Sequence, residues 1–143
     1  MRNKTISVAE FGHTITVLAI QRNWPWPAGY EASSAALELV AVQMTWVAGT
    51  KYTAAISPDQ FVLVTGATLS RPDTTINALL KARKYALLPA KVLTGKKATG
   101  WLVFKVDPKG AKALVLRYDR PKALVTSTNQ TIPAKSFSVK LVG

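Results

Sequence analysis

The chain offers little acid–base chemistry: one histidine, His13, seven carboxylates and no cysteine. A Ser–His–Asp relay would have to run through His13, and no serine sits in a recognisable strained nucleophile turn. The acids Glu10, Glu31, Glu38, Asp59, Asp73, Asp107 and Asp119 are scattered, so no pair is set up for general acid and base work. Without cysteine there is no thiolate nucleophile, no thiolate metal ligand and no disulfide. A single imidazole is too little for a tight transition-metal site, and no Asp-rich loop exists to wrap calcium. The expectation is a protein that is not an enzyme, with no cofactor and no metal.

Cations are the abundant chemistry. Residues 1–70 carry four bases and four acids, whereas residues 71–143 carry fifteen bases and three acids, so the whole net charge of +12 belongs to the second half. Lys81, Arg83, Lys84, Lys91, Lys96 and Lys97 crowd into one stretch of the chain, and Lys105, Lys109, Lys112, Arg117, Arg120 and Lys122 follow. Such density attracts acidic partners, and it could neutralise phosphates without reading a base sequence. Single-strand nucleic-acid binders also interleave stacking aromatics. Here Trp101 and Phe104 fall on opposite faces of one strand by parity, which leaves at most one free to stack. Gly95-Lys96-Lys97 lacks the spaced glycines and following helix of a nucleotide loop, and reads as a turn displaying Lys96 and Lys97.

The other unusual segment is Asn23-Trp24-Pro25-Trp26-Pro27-Ala28-Gly29-Tyr30. The prolines lack a backbone donor and stiffen the loop, so exposed Trp24, Trp26 or Tyr30 rings would be held ready to stack on a sugar or grip a peptide. Alternatively, the indoles fold back as a lid over one end of the fold. The candidate ligand-binding residues are therefore Trp24, Trp26, Tyr30, Lys81, Arg83, Lys84, Lys96 and Lys97.

The elements that would position these groups read mostly as strands. His13 to Gln21 alternates β-branched residues, and Ala35 to Val47 places Val40, Val42, Met44 and Trp46 on one side with Leu37, Leu39 and Ala41 on the other. Apolar residues on both faces predict a central strand covered twice. Phe61 to Thr65, Gly100 to Val106, Ala113 to Tyr118 and Ser136 to Val142 read as further strands, separated by turns at 48–50, 57–59, 94–97 and 107–110. Asp73-Thr74-Thr75 can cap a short helix over Ile76–Lys84, stopped by Pro89, in a crossover against the edge or end of the sheets. Together these predict one all-β domain over 1–143: an immunoglobulin-like antiparallel sandwich of about seven strands with one short crossover helix.

Ser57-Pro58-Asp59-Gln60-Phe61-Val62-Leu63-Val64, the stretch Leu93 to Val106 with its Gly95 turn and Gly100-Trp101-Leu102-Val103-Phe104, and Ala111 to Tyr118 with Leu114, Leu116 and Tyr118 alternating resemble a known pattern. Over roughly residues 35–118 the chain is similar to the telokin-like, immunoglobulin-fold domains of bacterial exported proteins and lipoproteins. That group includes an immunoprotective extracellular antigen, and it has no assigned catalytic residues. The resemblance implies an extracellular or cell-envelope domain; with no catalytic groups and a basic second half, the expectation is a binding module whose partner is a protein or an anionic cell-surface polymer. A basic domain that binds nucleic acid or another polyanion non-specifically is the alternative. Met1 to Ile20 does not read as a signal peptide, because Glu10 and His13 interrupt its apolar run. Either the chain is intracellular, or an export segment preceded it and was removed.

Overall fold

The computed structural model describes residues 4–8, 11–26, 29, 37–50, 54–55, 57–65, 68–72, 74–78, 80, 85–89, 91–107, 113–125 and 130–142. Two four-stranded antiparallel sheets face each other as a β-sandwich. Sheet I runs in the order β1 (Lys4–Val8), β2 (His13–Gln21), β3 (Glu38–Val47), β8 (Lys97–Val106). Sheet II runs β12 (Lys135–Val142), β9 (Leu114–Arg120), β5 (Phe61–Thr65), β6 (Thr68–Ser70). Two short ribbons pair β4 (Ala54–Ala55) with β7 (Lys91–Val92), and β10 (Ala123–Val125) with β11 (Gln130–Ile132). A 3-10 turn at Pro58–Gln60 leads into β5, and α1 (Thr74–Ala78) lies in the crossover from β6 to β7.

The period-two pattern of each strand decides which side faces inward. Val40, Val42, Met44 and Trp46 of β3 meet Leu102, Phe104 and Val106 of β8 on one inner face, opposite Phe61, Leu63, Leu114, Leu116 and Tyr118 of sheet II. Trp46 joins the two layers, with its ring edge-on to Tyr118 at 5.2 Å and to Phe61 at 6.0 Å. His13 lies in this interior, 3% exposed, with its ring between Phe11 at 5.5 Å and Trp46 at 6.0 Å. It therefore packs at the core edge.

β3 is covered twice, as its two apolar faces require. On the outer side of sheet I, Leu39, Ala41 and Val103 form a second core with Trp24, Ile76 and Leu80. Among the described residues α1 is shorter than the sequence pattern predicts, and it lies against the β8 edge of sheet I, the edge placement of the two expected. β8 is the last strand of sheet I, and among the described residues the free side of its ladder is met by backbone only in isolated bridges, Pro72 to Phe104 and Leu87 to Trp101. At Val103, Asn77 takes a strand's place: its side-chain amide donates to the Val103 carbonyl at 3.0 Å, and its oxygen accepts the Val103 N–H at 2.9 Å. Further along the same edge, Trp101 N–H donates to Ala86 O at 2.8 Å and Leu88 N–H to Trp101 O at 3.3 Å. This approach is so close that a Cβ on Gly100 would stand 2.4 Å from Leu88 backbone atoms. Only glycine fits there.

Candidate functional site

Two surfaces bring together residues that the sequence keeps apart. The first is one end of the sandwich. Three segments converge there through backbone contacts: Gly95 N–H donates to Gly49 O at 2.9 Å, Ala48 N–H donates to Lys96 O at 2.9 Å, and a Cβ on Gly49 would meet Gly12 O at 2.5 Å. From sheet II, Arg120 reaches this end, with its guanidinium 5.3 Å from the centre of the Phe11 ring and 5.7 Å from that of Phe137. Arg120 is only 1% exposed, and its Nη2 donates to Pro133 O at 2.5 Å. A buried cation needs such hydrogen bonds and aromatic faces in place of water. Arg120 thus ties Phe11 of sheet I's first turn to Phe137 of β12, and its role is structural.

At this end of the sandwich four lysines are exposed. Lys96 and Lys97 leave the 93–97 turn, Lys135 is paired with Arg120 in register and sits 5.2 Å from the Phe137 ring, and Lys122 follows the end of β9. Four lysines from two distant parts of the chain therefore share one end. Glu38 at the opposite end of sheet I and Asp119 beside Arg120 at this end are both engaged. Glu38 holds Arg22 through two 2.7 Å hydrogen bonds and accepts from Asn23 N–H at 2.9 Å. The Arg22 hydrogen bonds are the largest influence on Glu38 and hold its carboxyl below the usual carboxylate range despite burial. Burial acts most strongly on Asp119, yet hydrogen bonds from Arg117 and Ser136 together keep its pKa below the ordinary value. Burial pushes the Tyr118 hydroxyl up to about 12, so it stays neutral and acts as core.

The second surface is the outer face of sheet I beyond the second core. Register aligns Thr5 with Thr16, Thr16 with Thr45 and Thr45 with Thr99, one threonine from each of the four strands in a single row. Their hydroxyls pair across the strands, Thr5 with Thr16 at 3.1 Å and Thr45 with Thr99 at 2.8 Å. On the lysine side, the next row is Ser7, Thr14, Val47 and Lys97. On the other side, the next row holds Gln43 and Trp101. Trp101 is half-buried, with its ring 4.9 Å from that of Tyr85, whose hydroxyl donates to Gln21 Oε1 at 2.7 Å.

The expected site residues are distributed as follows. Trp24 is 1% exposed, packed edge-on to Tyr85 at 5.7 Å, and its backbone N–H donates to Leu39 O at 2.9 Å. That corrects its reading as a displayed stacking ring. The proline-stiffened loop turns Trp24 onto the uncovered face of β3 because Leu39 and Ala41 need a cover. It lids a sheet face, not an end. Trp26 is half-buried against the same cluster. Lys96 and Lys97 are exposed together, as the turn reading expects. Tyr30, Lys81, Arg83 and Lys84 lie outside the described residues. Sequence reading named Lys122 only within the basic stretch and missed Lys135 and the threonine row, because those two depend on strand register. The parity of Trp101 against Phe104 was the one available signal: Phe104 is fully buried between the sheets, while Trp101 lies on the outer side, half-buried against the second core. Among the described residues, no group of three or more His, Asp or Glu side chains could hold a metal ion. Nor is any helix there long and apolar enough to cross a membrane.

No family model matches the sequence, and no curated protein matches it significantly. Solved structures do resemble it. A functionally unknown protein from Listeria monocytogenes superposes with a TM-score of 0.59 at 13% identity, over 91% of this chain and 77% of its own. A Bacillus subtilis protein described as a putative lipoprotein, YcdA, gives 0.60 at 16% identity, over 96% of this chain and 38% of its own. The Bacillus subtilis YjhA protein gives 0.54 at 16% identity, over 80% of this chain and 78% of its own. The chain thus spans well under half of YcdA. At these identities the likeness shows a shared fold, a β-sandwich also found in bacterial proteins of unknown function.

Proposed function

We propose that this chain is a non-catalytic binding module of the bacterial cell envelope, of the telokin-like immunoglobulin type, that holds an anionic envelope polymer against its lysine-bearing end. The observation that carries this reading is that exposed Lys96, Lys97, Lys122 and Lys135, from two distant parts of the chain, all lie at the same end of the sandwich. A solubilising shell would scatter such charges, whereas a cluster on a rigid scaffold raises the local concentration of a polyanion. The likeness to a protein described as a putative lipoprotein supports the compartment.

Co-sedimentation with isolated bacterial cell walls, whose polymers are rich in carboxylate and phosphate, tests the reading. The protein should pellet with walls at low salt and be released as salt rises. The triple variant Lys96→Gln, Lys97→Gln, Lys135→Gln should bind more weakly and with a shallower salt dependence, each lost contact lowering the slope by about one. Wild type and triple variant pelleting equally would sink it. Preference for duplex DNA over walls would favour the nucleic-acid alternative.

A further inference from the structure

We infer that the outer face of sheet I is the seat of an acidic polysaccharide, laid across the threonine row with a sugar ring against Trp101 and its acid groups toward Lys97. This rests on the reading of the chain as a module for anionic envelope polymers and names the polymer's class. The row of Thr5, Thr16, Thr45 and Thr99 crosses all four strands. Adjacent strands lie about 4.8 Å apart, so the row extends about 14 Å across the sheet. That step is comparable to the advance per sugar of an extended glycan.

The hydroxyls retain capacity. Each Thr–Thr pair uses one O–H and one lone pair, which leaves one O–H and several lone pairs facing solvent. That mixed donor and acceptor set suits sugar hydroxyls, while a bare polyphosphate would use donors alone. Trp101 supplies an apolar ring for the C–H face of a sugar, and it is held in place by Tyr85 at 4.9 Å, so little freedom is lost on binding. Charge complementarity selects an acidic glycan over a neutral one. Lys97 borders the row, Lys96 follows on the adjoining end, and neither the threonine row nor the rows flanking it contain a carboxylate.

The test uses the intact chain and two soluble probes, polygalacturonate as an acidic polysaccharide and inorganic polyphosphate as a polyanion without sugars, followed by calorimetry and tryptophan fluorescence. Polygalacturonate should bind. Trp101→Ala should weaken it about ten-fold, and Thr45→Val with Thr99→Val about three-fold or more, with polyphosphate binding unchanged. The threonine variant keeps β-branching, so it stays informative should Trp101→Ala unfold; thermal melts identify that case. The inference is overturned if the folded variants bind polygalacturonate like wild type, or if only polyphosphate binds. In both cases the lysine-end reading survives. Should neither polymer bind, both readings fall.

Discussion

Replacing Asn77 probes how the second core and the Trp101 face are held. The side chain is 5% exposed and makes two hydrogen bonds to one residue, Val103 N–H at 2.9 Å and Val103 C=O at 3.0 Å. It stands in for the missing neighbour strand at the edge of β8. In Asn77→Ala both Val103 groups lose their partner, and a buried polar group left unsatisfied costs about 1–3 kcal/mol. A water entering the small gap would recover part of this, so the expected loss is about 2–4 kcal/mol, a large share of the usual 5–15 kcal/mol of a domain. For a chain of this size that corresponds to a fall in Tm of about 7–13 °C. Urea unfolding followed by far-ultraviolet circular dichroism reads the free energy. Hydrogen exchange at the Val103 amide reads the local effect. Asn77→Asp adds a sign: a carboxylate accepts from Val103 N–H but opposes Val103 C=O. That variant should therefore be poor at neutral pH and partly recover in acid, where a protonated carboxyl can donate. An Asn77→Ala protein within about 0.5 kcal/mol of wild type, with unchanged exchange at Val103, would refute the edge-pairing argument.

Two further outcomes follow from geometry already described. Because Glu38 titrates lower in the folded chain than its ordinary value of 4.5, the unfolded state binds more protons through that range; the pair's contribution is therefore complete above about pH 5 and lost as pH falls through the folded value. Glu38→Gln should flatten the decline of the urea midpoint between about pH 5 and pH 3, and an unchanged decline would exclude this pair as its source. Gly100→Ala should displace the 87–88 segment from β8, since the added Cβ meets Leu88 backbone at 2.4 Å. The expected loss is about 1–3 kcal/mol, with a shifted Trp101 fluorescence; a variant matching wild type in both measurements would show that the segment moves freely.

Local pattern carried far in this chain. The alternation in His13–Gln21 marks β2 at its observed limits, because a half-buried strand must repeat every two residues, and the short apolar run Phe61–Thr65 bounded by turn residues marks β5. Leu39 and Ala41 opposite Val40 and Val42 announced a strand buried on both faces. Less was legible where partners decide the structure. β1 and β6 are short and mixed, and they become strands through pairing with β2 and β5. The same holds for function. The sequence by itself determined that the charge excess lies in residues 71–143, that a turn displays Lys96 and Lys97, and that Trp101 and Phe104 face opposite ways. Residue type, turn chemistry and strand parity are local properties, and they survive any arrangement of the sheets. Only tertiary structure decided that Trp24 is core and that Lys135 joins Lys96 and Lys97. It alone lined up threonines from residues 5, 16, 45 and 99. Register between strands is a non-local quantity, set by how two apolar faces interlock, and shifting one strand by a single residue would send its threonine to the opposite face and break the row.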